Sequence, residues 1–372
     1  MRSEDIFKAM TGIDDKIVAD TYNYSTKIKV VRASKNLPFA AFIGIALFAT
    51  VTATAVAAIH HFWGRGMTGM VSSTDVQQQT LIEQGQAIVY SEEPDYSAYA
   101  VTDQGITIVP DTIIADAHYA YVSFKVSGLN VEGLEEPGAE TTYYLGDDPD
   151  SIHSWLNGSG SFFDGIVPNE DGMGEYEDGT PLQTTENGEM ITHYVDENGD
   201  LQYNLMVSAA DMSDSLLGQT LHMEFTQLGI YTDKCELTPT ASGSWSFDLE
   251  LPQVSNAKVI TVNKQVPGTD STIDTIEITP ISIVVNYKVN GKLEEYEDCN
   301  GIPEFMGVGL TDGTNYKYIS NGGSSYYTDD SMEKAVSSAC FQRIIDVSEV
   351  RSLYIRTSDY EDAEIVEVVL PE

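Results

Sequence analysis

The chain has 372 residues, with 19 Lys and Arg against 58 Asp and Glu, and a formal net charge of −39 at pH 7. So anionic a polypeptide excludes nucleic-acid binding by counterion release, and it is repelled by anionic lipid headgroups and wall polymers. The charge is divided unevenly: residues 1–38 carry seven Lys/Arg and five Asp/Glu, so the whole deficit falls after residue 38.

Residues 1–38 are expected to form a short helical segment. Ser3 can cap a first helix with Glu4 and Asp5 at its positive end, and Thr11-Gly12 ends it. A second helix, capped by Asp14 or Asp15, brings Ile17, Thr21, Tyr24, Ile28 and Val31 onto one stripe at spacings of four and three. So short a segment cannot bury its own core, so the stripe needs a partner protein or the membrane surface. The plainer alternative is a membrane-proximal tail.

Residues 39–59 (FAAFIGIALFATVTATAVAAI) are the one long uncharged run. As a helix the run is about 31 Å long, enough to cross a bilayer, and residues 39–60 are assigned to a transmembrane helix. Lys27, Lys29, Arg32 and Lys35 precede it and only Arg65 follows closely, which places the N-terminus in the cytoplasm and the rest outside. His60, His61, Phe62 and Trp63 then fall at the outer interface. Ala53, Ala55, Ala57 and Ala58 also offer signal-peptidase sites, but leader and apolar run are both long for a cleaved signal, whose apolar region spans about 7–15 residues. Within the run, Ala46, Thr50, Thr54 and Ala58 make one row of small residues and Ala49, Ala53 and Ala57 another. Such rows suit close helix packing or an intramembrane protease, against the alternative of a generic Ala-rich anchor.

Residues 61–80, rich in Gly, Ser and Gln from Gly64 onward, are expected to be a flexible stalk. Beyond it the pattern is β. Short runs rich in Val, Ile, Tyr, Phe and Thr (Ile106–Val109, Ala120–Val126, Leu221–Leu228, Ser244–Leu251, Ile281–Val289, Ser352–Ile355) are bounded by Gly, Pro, Asn and Asp. Ser331–Ser337 is the one plausible short helix. The fold class expected is mainly β, with two exported immunoglobulin-like antiparallel β-sandwiches over 81–253 and 254–372. A repeat supports the duplication: 111–128 (DTIIADAHYAYVSFKVSG) aligns without gaps on 274–291 (DTIEITPISIVVNYKVNG), sharing the opening Asp-Thr-Ile, a Lys-Val pair and the closing Gly. Between Glu132 and Asp200 lie 18 Asp/Glu and no Lys/Arg, expected as acidic loops and edge hairpins.

Little in this chain points to chemistry. No GxSxG, HExxH, SxxK or phosphate-loop motif occurs, and the six His residues lack metal-ligand spacing. The calcium-loop-like DENGD at 196–200 has Leu201 where a Gly is needed and Val207 in place of the closing Glu, so a tight turn is expected there. The expectation is no enzymatic activity, no metal and no cofactor. Of the three cysteines, Cys299 and Cys340, both in the last domain, are the expected pair, and the odd count leaves at least one free thiol or an intermolecular bridge.

The opening EDIFKAMTGIDDKIVADTY, the basic stretch, the single helix and the segments GITIVPDTIIADAHYAYVSFKVSG and GSWSFDLELP together resemble membrane-anchored regulators of low-GC Gram-positive bacteria. These are commonly taken to be anti-sigma factors for extracytoplasmic-function sigma factors. The resemblance implies that the inner segment holds a sigma factor, here through Ile17, Tyr24, Ile28 and Val31, while the exported domains sense an extracellular ligand. With no His or Cys before the apolar run, such binding must be zinc-free. The other reading is an exported adhesion or ligand-binding protein on a simple membrane anchor.

Overall fold

The computed structural model describes residues 63–372 except 94, 133–134, 170, 177–178, 180–181, 183–197, 233–235, 290–300, 359–362 and 372. The apolar run at 39–59 and the inner stripe lie outside the described residues. Among the described residues, no helix is long and apolar enough to cross a membrane.

The described residues form one compact unit. It opens with two helices, α1 (Arg65–Met70) and α2 (Asp75–Glu83). An N-terminal lobe follows: β1 (Ala87–Val89), β2 (Val101–Asp103), β3 (Ile106–Ala115), β4 (Tyr119–Ser127), β5 (Glu136–Leu145), β6 (Leu156–Phe162), β7 (Ile166–Pro168), β8 (Gly174–Tyr176), β9 (Leu201–Ala209), β10 (Thr220–Tyr231) and β11 (Leu237–Glu250). A C-terminal lobe holds β12 (Lys258–Gln265), β13 (Ser271–Ile278), β14 (Ser282–Val289), β15 (Glu304–Leu310), β16 (Asn315–Tyr316), β17 (Ser320–Tyr327), β18 (Lys334–Phe341), β19 (Val350–Arg356) and β20 (Ile365–Val369).

Each lobe is a pair of antiparallel sheets over one core. In the N-terminal lobe the sheet β1-β3-β4-β9-β6, with β2 beside β3, shares its core with the sheet β11-β10-β5. Phe124 of the first meets Phe225 of the second edge-on at 5.3 Å, and fully buried Trp245 donates its indole N–H to the Ile106 carbonyl at 3.0 Å. The C-terminal lobe pairs β12-β13-β14-β18-β17 with β16-β15-β19-β20 around Ile276, Val285, Phe305, Phe341 and Leu353. Alternation explains the inner faces. Along β11, Trp245, Phe247 and Leu249 are buried while Ser246, Asp248 and Glu250 are exposed.

The two copies of the repeat are the hairpins β3–β4 and β13–β14, which occupy corresponding places in the two larger sheets. Strand β4 is buried on both faces. Ala120, Val122, Phe124 and Val126 enter the lobe's own core, whereas Tyr119 and Tyr121 point into a third core with Trp63, Met67, Val71, Leu81, Ile281, Cys340 and Ile344. That third core joins both lobes to the two helices.

Three expectations are corrected here. The segment 61–80 is no flexible stalk over its described part: Trp63, Met67 and Val71 are buried, and α2 starts with a capping box in which Thr74 accepts from the Gln77 N–H and the Gln77 side chain accepts from the Thr74 N–H. Ser331–Ser337 is no helix. Its last residues enter β18, which runs between β14 and β17, and there Ala335 to Phe341 are all buried. Small residues at the centre of a sheet, wedged between two neighbours, outweighed local helix preference. Finally, Cys340 is a free buried thiol, not half of a disulfide, and its Sγ lies 3.4 Å from the Gly322 carbonyl.

Candidate functional site

The junction is built from the two repeated hairpin turns, which meet head to head. In the first turn Asp116 is fully buried, and its Oδ1 accepts from the His118 and Tyr119 N–H groups at 2.8 and 2.9 Å. In the second, Thr279 Oγ1 does the same for Ile281 and Ser282 at 3.1 and 2.9 Å. These are corresponding positions of the repeat, and they touch. Asp116 Oδ2 accepts from Thr279 Oγ1 at 2.6 Å and from Ser282 Oγ at 2.5 Å. One carboxylate thus satisfies four donors, two in each lobe, as a buried acceptor must to offset its desolvation.

Around this contact the strands exchange further bonds. Tyr119 Oη pairs with Ser338 Oγ at 2.8 Å, and Tyr121 Oη donates to the Phe341 carbonyl at 2.7 Å. Burial pushes both phenols upward in pKa, so they stay neutral. His118 Nε2 lies 3.7 Å from Glu277 at the edge of the junction.

The helices are fastened to both lobes. On the N-terminal side, the Gly64 N–H donates to Asp111 at 3.2 Å, Asn204 Nδ2 donates to the Gly66 carbonyl at 2.9 Å, and the Gly66 N–H donates to Gln202 Oε1. Gly69 packs so closely on Phe163 that a Cβ would lie 2.1 Å from its ring. On the C-terminal side, Ser72 pairs with the strand end at Arg343: its N–H donates to the Gln342 carbonyl at 2.8 Å, and its carbonyl accepts from Ile344 at 2.9 Å. Gln77 Nε2 adds a bond to the Ile344 carbonyl at 3.1 Å.

A clasp completes the junction. The β7–β8 hairpin of the N-terminal lobe offers the Asn169 carbonyl to the Arg343 guanidinium and the Gly172 carbonyl to Gln342 Nε2. Gly172 is required there twice over, by its φ of +77° and because a Cβ would lie 1.7 Å from the Tyr318 carbonyl. Arg343 also sits over the Tyr316 ring at 4.2 Å.

Electrostatically, the carboxyl of Asp111 lies buried beside the start of α1. Burial pushes its pKa upward, opposed by hydrogen bonds from Gly64, Ser123 and Thr112 and by the Lys125 charge. Burial likewise raises the Cys340 thiol to about 11, which suppresses the nucleophilic thiolate. Among the described residues no group of three or more His, Cys, Asp or Glu is placed to hold a metal ion. His153 with Asp214 and His222 with Asp248 are surface pairs.

Sequence reasoning placed candidate sites at Ile17, Tyr24, Ile28 and Val31 and at Ala46, Ala49, Thr50, Ala53, Thr54, Ala57 and Ala58, all outside the described residues. It missed Asp116, Thr279 and the anchoring role of residues 63–83. The capping box Thr74-x-x-Gln77 was the available signal for α2.

No protein-family model and no curated protein matches the chain. Among solved structures it is similar to one described as "The crystal structure of the conserved domain protein from Bacillus anthracis", with 13% identity and a TM-score of 0.42 over 74% of this chain and 93% of that one. A likeness so remote carries no argument about function.

Proposed function

We propose that this protein is a single-pass membrane regulator of the anti-sigma-factor type. In this reading residues 1–38 sequester an extracytoplasmic-function sigma factor through Ile17, Tyr24, Ile28 and Val31, and residues 39–60 cross the membrane. The two lobes are exported immunoglobulin-like sandwiches that read an extracellular ligand.

The observation that carries the reading is the anchorage of α1. Its first residue, Arg65, comes just after the apolar run ends at Ile59, and Trp63, Met67 and Val71 lie in the core shared with both lobes. A simple adhesin needs only a loose tether between membrane and lobes. A segment held by both lobes instead feels any change in how they pair, which is the coupling a sensor requires. Because Trp63, Met67 and Val71 are buried in the junction core, an extracellular protease cuts among them only after the junction loosens. Loosening then exposes the first cut, and the small-residue rows at Ala46–Ala58 serve the second, intramembrane one.

The test is recovery of the partner. Full-length protein captured from its native host should bring down an RNA polymerase sigma factor, and Ile17→Asp or Ile28→Asp should release that factor and switch on its genes. A reporter active only outside the cytoplasm, fused after Glu372, should be active. Capture without a sigma factor, or normal regulation by both variants, rejects this reading and favours the adhesin.

A further inference from the structure

An open sheet ends in strands whose outer backbone groups lack a partner, and proteins guard such edges with charges, Pro, bulges, brevity or cover. Among the described residues, every edge but one carries such a guard. Strand β12 has Lys258, Lys264 and a register shift, β5 has Glu136, Pro137 and a register shift, and β11 has Pro239 and a register shift. Strand β17 has a register shift and β20 has Glu367, while β1, β2, β7, β8 and β16 have three residues or fewer. The exception is β6, the edge of the larger N-terminal sheet. Its sequence, LNGSGSF, has no charge and no Pro, and it pairs with β9 from Leu156↔Ala209 to Phe162↔Tyr203 without a register shift.

The bonds at the two ends of β6 fix the direction of its outer groups. The Ala210 N–H donates to the Trp155 carbonyl at 3.2 Å, and the Phe163 N–H donates to the Gln202 carbonyl at 2.8 Å. Bonded and non-bonded positions alternate in an antiparallel pair, so odd-numbered residues of β6 face β9 and even-numbered ones turn N–H and C=O outward. Leu156, Gly158 and Gly160 therefore present a row of donors and acceptors that no other strand takes among the described residues. Gly158 and Gly160 are exposed, and neither can carry a side chain that would shield the row. A Cβ would lie 2.7 Å from Tyr143 Oη at Gly158 and 2.1 Å from Tyr203 Oη at Gly160. Just before the strand, Ile152 and Trp155 are 66% and 61% exposed. The exposed carboxylates of Asp147, Asp148, Asp150 and Asp211 flank them, and the His153 imidazole beside them is paired with Asp214 at 2.9 Å. In the sequence between Arg65 and Lys234 the only Lys or Arg is Lys125, which pairs with Asp200 at 2.8 Å.

We infer that β6 is a docking edge for an extended cationic segment of a partner polypeptide, which adds to the sheet as a further strand. Its backbone pairs with Leu156, Gly158 and Gly160, an apolar side chain rests on Ile152 and Trp155, and its Lys or Arg side chains meet the Asp rim. A second copy of this chain is the wrong occupant, because pairing two β6 edges brings together two acidic rims on chains of net charge −39. That such a segment is the extracellular signal rests on the regulator reading above, whereas its docking does not.

Full-length protein in detergent micelles is titrated with a synthetic peptide of alternating Lys and Val, with its Glu–Val counterpart, and with the Lys–Val peptide N-methylated at every amide. The last keeps the charge and loses the backbone donors, so it separates strand pairing from plain attraction. Saturable binding is expected for the unmodified Lys–Val peptide alone. Amide exchange read residue by residue should slow at Leu156, Gly158 and Gly160 and stay unchanged at Asn157 and Ser159, which already face β9. Trp155→Ala, at an exposed position, should weaken binding by about tenfold or more, and so should Ser159→Lys, a guard charge on the exposed strand, both with the unfolding midpoint kept. No saturable binding, equal binding of the N-methylated peptide, protection away from β6, or wild-type affinity in both variants overturns the proposal. A peptide-free dimer that protects the same amides also overturns it, by making a second copy the occupant. Strand addition in a protein that captures no sigma factor would leave the edge site standing and remove only the regulator reading.

Discussion

Asp116→Ala should be among the most damaging single changes in the protein. It strands the His118 and Tyr119 N–H groups in a fully buried turn and removes the acceptor shared by Thr279 and Ser282. Thr279 can turn to the Ser282 carbonyl, 3.4 Å away, so part of the hydroxyl loss is recovered. The two amides have no such recourse. At about 1–3 kcal/mol for each stranded buried group, the net loss is about 3–5 kcal/mol, as for breaking other buried charge networks. Domains are stable by only about 5–15 kcal/mol, so the lobes should come apart before either unfolds. Urea unfolding followed by tryptophan emission can resolve this, because Trp63 reports the junction core and Trp245 the N-terminal lobe. One transition should become two, the first belonging to Trp63. Thr279→Val removes the acceptor of the other turn, and the double variant should depart from additivity by about 0.5–3 kcal/mol. A loss below about 0.5 kcal/mol, typical of surface positions, would refute the latch, as would strict additivity with Thr279→Val.

Other outcomes follow from the same geometry. Burial lifts the Asp111 carboxyl above its ordinary value of 3.8, so the folded state holds that proton more tightly than the unfolded chain. The stability this contributes is complete below the unfolded value and lost as pH rises through the folded one. Asp111→Asn should therefore flatten the fall of Tm with rising pH and raise Tm at pH 7; a variant that loses more stability at pH 7 than at pH 4 contradicts this sign. Cys340, with its thiol raised to about 11, should resist iodoacetamide in the native protein and react on denaturation, as mapped by peptide mass spectrometry. Rapid native labelling at Cys340 would show that the junction opens readily. Elastase cutting after exposed Val254, between β11 and β12, should leave two fragments that co-elute, because the junction core and Asp116 still join the lobes. Separation of the fragments in non-denaturing buffer would show that these contacts are weak.

The β architecture was legible because strands that cover one core alternate: SWSFDLE in β11 buries every second residue, and the duplicated Asp-Thr-Ile stretch lies within β3 and β13, the first strand of each repeated hairpin. What composition obscured was burial by a neighbour from far along the chain. Gly64, Gly66 and Gly69 look like linker residues, yet Gly66 and Gly69 are there because a Cβ would strike Gln202 or Asn204 and the Phe163 ring. Ala335 to Ala339 look weakly structured until β14 and β17 enclose them.

The junction was illegible for a different reason. The repeat makes positions 116 and 279 equivalent, so any arrangement that brings the two turns together by approximate two-fold symmetry places these residues against each other. Two aspartates there would oppose two buried carboxylates within hydrogen-bonding distance, and only one could ionise. Two threonines would bind both turns but give only a neutral bond between the lobes. Asp116 with Thr279 keeps the turn-capping acceptor in each copy and makes one partner a donor, so the cross-lobe bond is charge-assisted. Aligned copies show this only as a mismatch, Asp against Thr, within the least similar part of the repeat. The complementarity belongs to the pair, and it becomes visible only once the two turns are in contact.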